Sequence, residues 1–122
     1  MNGKEKVRLG ALSATTLIGD PVLNSDDEEL GQIEDFMVDL ETGCIAYAVL
    51  SFGGFLGLGD KFYAVPWISL KVDTENECFR FDIDKKVLEE APGFDKDNWP
   101  AAKDFGIVTT VYEFYGVENP YK

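Results

Sequence analysis

The chain has 122 residues, the size of one domain with one core, and 45% hydrophobic with 28% charged residues excludes a disordered or collagen-like chain. Lys and Arg number 11 against 23 Asp and Glu, a formal net charge of -12, so direct contact with the phosphates of DNA or RNA or with an anionic lipid surface is not expected. There is no histidine, which removes the usual Ser-His and Cys-His pairings and the commonest neutral metal ligand.

Residues 1–14 read as a polar lead-in. Lys4, Lys6 and Arg8 before LGALSATTLIG faintly imitate a secretory signal, but Ser13, Thr15 and Thr16 interrupt the apolar part. No run of about 18 apolar residues is present to span a membrane, so a cytoplasmic location is the default expectation. Thr16, Leu17, Ile18 and Val22 form a short β-prone segment, bent or placed at an edge by Gly19, Asp20 and Pro21. The acidic run from Asp26 to Glu29 reads as a solvated turn.

In Gly31 to Leu40, the alternation places Phe36, Val38 and Leu40 on one face and Asp35, Met37 and Asp39 on the other. Ile33 is out of step with Phe36, which predicts a bulge of the kind that curls a strand into a barrel. Glu41, Thr42 and Gly43 then supply a hairpin turn into Cys44. The run Ile45 to Phe52 is apolar on both faces, as in a strand covered on both sides. The small Ala46 and Ala48 are expected to let a covering element approach closely. Both cysteines, Cys44 and Cys78, begin or lie in apolar runs and read as buried small hydrophobes. A second apolar run, Phe62 to Trp67, follows a glycine-rich connector with Gly53, Gly54, Gly57 and Gly59, so the two runs read as paired strands joined by a loop.

The stretch IEDFMVDLETGCIAYAVLSFGGFLGLGDKFYAVPW, with TLIGDPV before it, resembles the PRC-barrel family, named for the cytoplasmic portion of the photosynthetic reaction-centre H subunit and found also in the ribosome-maturation protein RimM. The likeness continues through APGFDKDNWP and YEFYGV, and the pairing of SFGGFLGLGDK with AVPW is its most specific part. The resemblance implies a mainly β protein, a small β-barrel used for assembly or protein-protein contact, with no catalytic residue to carry over. The sequence carries neither the membrane anchor of the H subunit nor the additional N-terminal domain of RimM, so those two functions are not transferred.

Ile68 to Val72 continues with apolar positions, Asp73 to Glu77 makes a polar turn, and Cys78 to Ile83 reads as the closing strand with Phe79, Phe81 and Ile83 on one face. Asp84 is placed to cap a short helix, Lys85 to Ala91, ended by Pro92 and Gly93. The expected barrel domain is therefore 15–92. Residues 93–122 form an aromatic-rich, partly helical extension packing back on the barrel or on a neighbouring subunit. Within it Pro100 to Tyr115 is the expected helix, with Gly116 just past its end.

Three motifs are candidates for chemistry. The loop GGFLGLGDK lacks both the G-x-G-x-x-G order and the G-K-[ST] ending of a phosphate cradle. DKDNW begins like a calcium loop but has Trp99, Pro100 and Gly106 where that loop needs a ligand, a glycine and a glutamate. Glu34 and Asp35, as strand neighbours, point to opposite faces and cannot act together on one substrate, and Asp82 and Asp84 are better read as a solvent-facing side. No catalytic residue, metal ligand or cofactor is therefore expected.

The expected function is a non-enzymatic module acting in protein-protein interaction or self-assembly, as a homo-oligomer, a dimer first, or with a protein partner. The candidate interaction surface is Phe55, Leu56, Leu58, Trp99, Tyr112 and Tyr115. Two alternatives stand beside it. One is a small-molecule or metal-binding protein using a barrel mouth with Asp60 and Lys61. The other is an RNA- or ribosome-maturation accessory acting through a basic protein.

Overall fold

The most irregular strand of the fold is the one that shapes it. In the computed structural model, which describes residues 10–51, 61–95, 97–101, 103 and 105–121, β2 (Glu29–Val38) pairs with β1 (Pro21–Leu23) on one side and β3 (Ile45–Ser51) on the other. Its register shifts three times. Leu30 is skipped opposite β1, Glu34 is skipped opposite β3, and near the hairpin Met37 faces Tyr47 while Val38 faces Ile45. The shift at Glu34 is the bulge expected from the broken alternation between Ile33 and Phe36. The extra residues Leu30 and Glu34 on β2, and Ala46 on β3 at the third shift, bend the strands and increase their twist, which rolls the sheet.

The described residues form a seven-stranded sheet in the order β5-β6-β1-β2-β3-β4-β7, completed by β4 (Lys61–Pro66), β5 (Lys71–Asp73), β6 (Cys78–Arg80) and β7 (Gly93–Asp95). All its pairings are antiparallel except β1 with β6, where Val22 lies beside Phe79. Among the described residues three α-helices accompany the sheet: α1 (Ala14–Leu17), α2 (Lys85–Glu89) and α3 (Gly106–Tyr115). Ser13 caps α1 and Asp84 caps α2 by accepting from the Lys86 amide at 2.9 Å. The helix predicted after Asp84 is therefore present.

The concave face holds one core and the convex face another. Val22, Leu30, Ile33, Ala48, Leu50, Tyr63, Val65, Phe79, Phe81 and Leu88 fill the inside of the curl. Tyr47, Val49, Phe62 and Ala64 face outward beneath Val108, Val111 and Tyr112 of α3. Strand β3 is thus buried on both faces, as its continuous apolar run predicts. Tyr115 packs against both cores from the end of α3. Gly116, at φ +65, ends that helix, with the Val117 amide reaching back to the Tyr112 carbonyl at 3.0 Å.

Several expectations are corrected. The β-prone segment at Thr16 to Val22 is divided into α1 and β1, because Ser13 caps a helical turn that ends as Ile18 becomes extended, and Gly19, at φ +97, then turns the chain toward β1. Ala46 packs under α3 as expected, together with Ala64 on β4, whereas Ala48 points into the concave core, since alternation puts it opposite Tyr47. Trp67–Ser69 is a single 3-10 turn that leaves Ile68 71% exposed. Cys44 is exposed in the turn while Cys78 is buried, and both are free thiols. The final helix starts at Gly106 rather than Pro100. The sheet continues past residue 92, because β7 joins β4 with Phe94 opposite Phe62.

Candidate functional site

The hairpin between β2 and β3 and the incoming start of α3 enclose a groove of about 790 Å³. The hairpin side is built by turn chemistry. The Asp39 carboxylate accepts from the Thr42 amide at 3.0 Å and the Thr42 hydroxyl at 2.6 Å, the Gly43 amide donates to the Asp39 carbonyl, and Gly43 takes φ +78. This local bonding takes Leu40 out of the strand and onto the loop, where it is 80% exposed. Val38, just after the last register shift, is 52% exposed. Neither residue therefore lies on the inward face that simple alternation from Phe36 predicts.

The opposite wall is carried by Pro100, Ala101, Phe105 and Ile107, and its position is fixed by two tyrosines. Ala46 has no partner in the β2–β3 register, and its carbonyl accepts a 2.5 Å hydrogen bond from the Tyr112 hydroxyl. The neighbouring carbonyl of Ile45 accepts from the Tyr121 hydroxyl at 3.1 Å. The two rings meet edge to face at 6.2 Å. Burial, with a smaller push from Tyr121, raises the Tyr112 phenol from its ordinary 10.0 to about 12; burial also raises that of Tyr121.

The groove's charged lining is of one sign. Asp39 and Glu41 line it, and among the described residues no lysine or arginine does. The hydrogen bonds from Thr42 hold the Asp39 carboxyl below the usual carboxylate range, so it is an anion at neutral pH. Exposed Val38, Leu40 and Phe105 share this concavity with the two carboxylates. A second hollow, of about 700 Å³, lies between the residues before α1 and Phe36, Trp67 and Val72; among the described residues its lining includes no charged side chain.

Of the residues expected to form an interaction surface, the described ones, Trp99, Tyr112 and Tyr115, do not form one exposed patch. Phe55, Leu56, Leu58 and Asp60 lie outside the described residues, so the loop tip and the mouth that Asp60 was expected to share with Lys61 do too. Trp99 is 37% exposed and packs on Phe94 at 5.0 Å and Phe62 at 5.4 Å, closing the β4–β7 edge. Tyr112 is a correction: it is 2% exposed and belongs to the core under α3. Tyr115 is half-buried, its ring 5.6 Å from Phe81, and its hydroxyl is buried with no hydrogen-bond partner among the described residues. Leu40 and Phe105 are missing from the expected surface. The signal for Leu40 was present in Asp39-x-x-Thr42-Gly43, whose turn bonding takes precedence over strand alternation.

Three of the four carboxylates considered for acid-base work have structural partners. Asp82 accepts from the Ser25 hydroxyl at 2.9 Å, Asp84 caps α2, and Asp35 accepts from the Phe36 amide at 2.8 Å. Among the described residues no group of three or more Cys, Asp or Glu is placed to hold a metal ion, and no helix is long and apolar enough to cross a membrane.

Comparison with curated proteins finds no match. A family model described as the PRC-barrel domain matches residues 10–88, the segment that contains α1 through most of α2 and the strands β1 to β6. With well over half of its length so matched and a mainly β, bulge-curled sheet around one concave core, the chain belongs to the PRC-barrel domain family.

Proposed function

We propose that this chain is a non-enzymatic PRC-barrel module that works by docking a protein partner in the groove between the β2–β3 hairpin and the start of α3. The observation that supports the reading is the clustering of Val38, Leu40 and Phe105, all substantially exposed, along one concavity. Single exposed apolar residues are ordinary, whereas several lining one hollow mark an interaction surface. Leu40 is the sharpest case, because the hairpin closes through Asp39, Thr42, Gly43 and Cys44 and makes no use of its side chain.

The test compares Leu40→Asp with Ile68→Asp, a second exposed apolar site that does not line the groove. Co-purification of a native partner is expected to be lost with Leu40→Asp and kept with Ile68→Asp. Equal retention by both variants contradicts the reading. Sedimentation at micromolar concentration tests self-association on the same variants, the expected result being a species whose mass does not depend on Leu40.

A further inference from the structure

We infer that the occupant of this groove is a short segment of another protein carrying apolar side chains flanked by lysine or arginine, and not a second copy of this chain. The inference rests on the docking reading above and concerns the chemistry of the partner. Leu40 lies between Asp39 and Glu41 in the chain, so the most exposed apolar contact of the groove and both of its carboxylates occupy three consecutive residues of one turn. An occupant that covers Leu40 must lie against those carboxylates. Removing an anion from water without a cation to meet it is costly, and among the described residues the groove lining contains no basic side chain to supply one. The cation has to come with the occupant.

A second copy is poorly suited to that task. A two-fold contact through this surface sets the same patch against itself, bringing the carboxylates of two grooves together without an answering charge among the described residues of either lining. Each copy also carries a net charge of -12, which opposes encounter between copies and favours encounter with a basic partner. The apolar wall from Val38, Phe105 and Ile107 supplies the contact area, and the two carboxylates select the sign of what flanks it.

The probe is a library of random peptides of about 12 residues, selected on the intact wild-type chain and counter-selected on Leu40→Asp. Because Leu40 is 80% exposed, the variant is expected to unfold at the wild-type temperature, which is checked before selection. Peptides that depend on Leu40 are expected to combine Leu, Ile, Val or Phe with neighbouring Lys or Arg. Their affinity is expected to fall at least about fivefold with Glu41→Lys and again between about 50 and about 500 mM NaCl. Leu40-dependent peptides that are neutral or acidic, or that bind Glu41→Lys as tightly as wild type, overturn the inference and leave docking at the groove intact. Finding no Leu40-dependent peptide overturns both. A dimer that strengthens with salt and is lost in Leu40→Asp overturns the inference in favour of a second copy.

Discussion

The hydroxyl of Tyr112 donates to the carbonyl of Ala46, the residue that the β2–β3 register leaves without a partner. One irregularity in the sheet thus creates the acceptor by which α3 is held across β3. A buried hydrogen bond of this kind contributes on the order of 1 kcal/mol, and removing the donor leaves a carbonyl desolvated. Tyr112→Phe keeps the ring among Val108 and Val111 but loses the bond. It is expected to lower unfolding stability by about 1–2 kcal/mol in denaturant titration, with little change in the steepness of the transition. A stability equal to wild type contradicts this account of how the tail is held.

The same residue predicts behaviour in alkali. Burial raises the Tyr112 phenol from 10.0 to about 12 in the fold, so the unfolded chain gives up this proton first. The associated stability is complete below pH 10, falls as pH rises above 10 and is fully lost once pH passes about 12. Tyr112→Phe lacks this contribution, so its stability should decline less steeply than wild type over that window. Parallel declines would show that Tyr112 is not a main source of the alkaline sensitivity.

Tyr115 gives the opposite result on substitution. Its hydroxyl is buried with no partner among the described residues, and burial, helped by Tyr63, pushes its phenol far above the usual range. Tyr115→Phe removes a polar atom whose burial is uncompensated and keeps the ring against Phe81. The variant is expected to be as stable as wild type or more stable by up to about 1 kcal/mol. A clear loss of stability would mean that the hydroxyl is satisfied after all.

Gly93 is required by close approach rather than by an unusual dihedral. A Cβ there would run into the Phe62 carbonyl, with the Tyr63 Cα also near, so the β4–β7 pair has no room for alanine. Gly93→Ala is expected to cost about 1–3 kcal/mol through displacement of β7. Trp99, which packs on Phe62 and Phe94, should become wetter and its fluorescence shift to the red. Replacing Trp99 by Phe in the same background should remove that spectral change, leaving the signal of Trp67, whose ring packs edge to face on Phe36.

Much of this architecture can be read locally. The phase slip between Ile33 and Phe36 marks the bulge at Glu34, the two-sided apolar run marks β3 as covered on both faces, Asp84 marks the start of α2, and Gly116 marks the end of α3. Each depends on residues within a turn or two of one another. The groove does not. Val38 leaves the inward face because of a register shift set by pairing with Ile45 and Tyr47, and its facing wall arrives from Phe105 and Ile107, more than 60 positions further along the chain. An aromatic-rich tail indicates burial, but composition does not say which tyrosine supplies the bond. Tyr112 therefore reads as a surface residue until its carbonyl partner is known.

The central claim is that a partner segment binds beside the β2–β3 hairpin, and amide chemical-shift mapping tests it most directly. The isotopically labelled chain is titrated with a Leu40-dependent basic peptide from the selection. The expected shifts are concentrated at Met37 to Glu41 and at Phe105 to Val108, and are absent in Leu40→Asp. Shifts centred instead on the Phe36–Trp67 hollow or the β5 edge, with the Met37 to Glu41 amides unmoved, would contradict it.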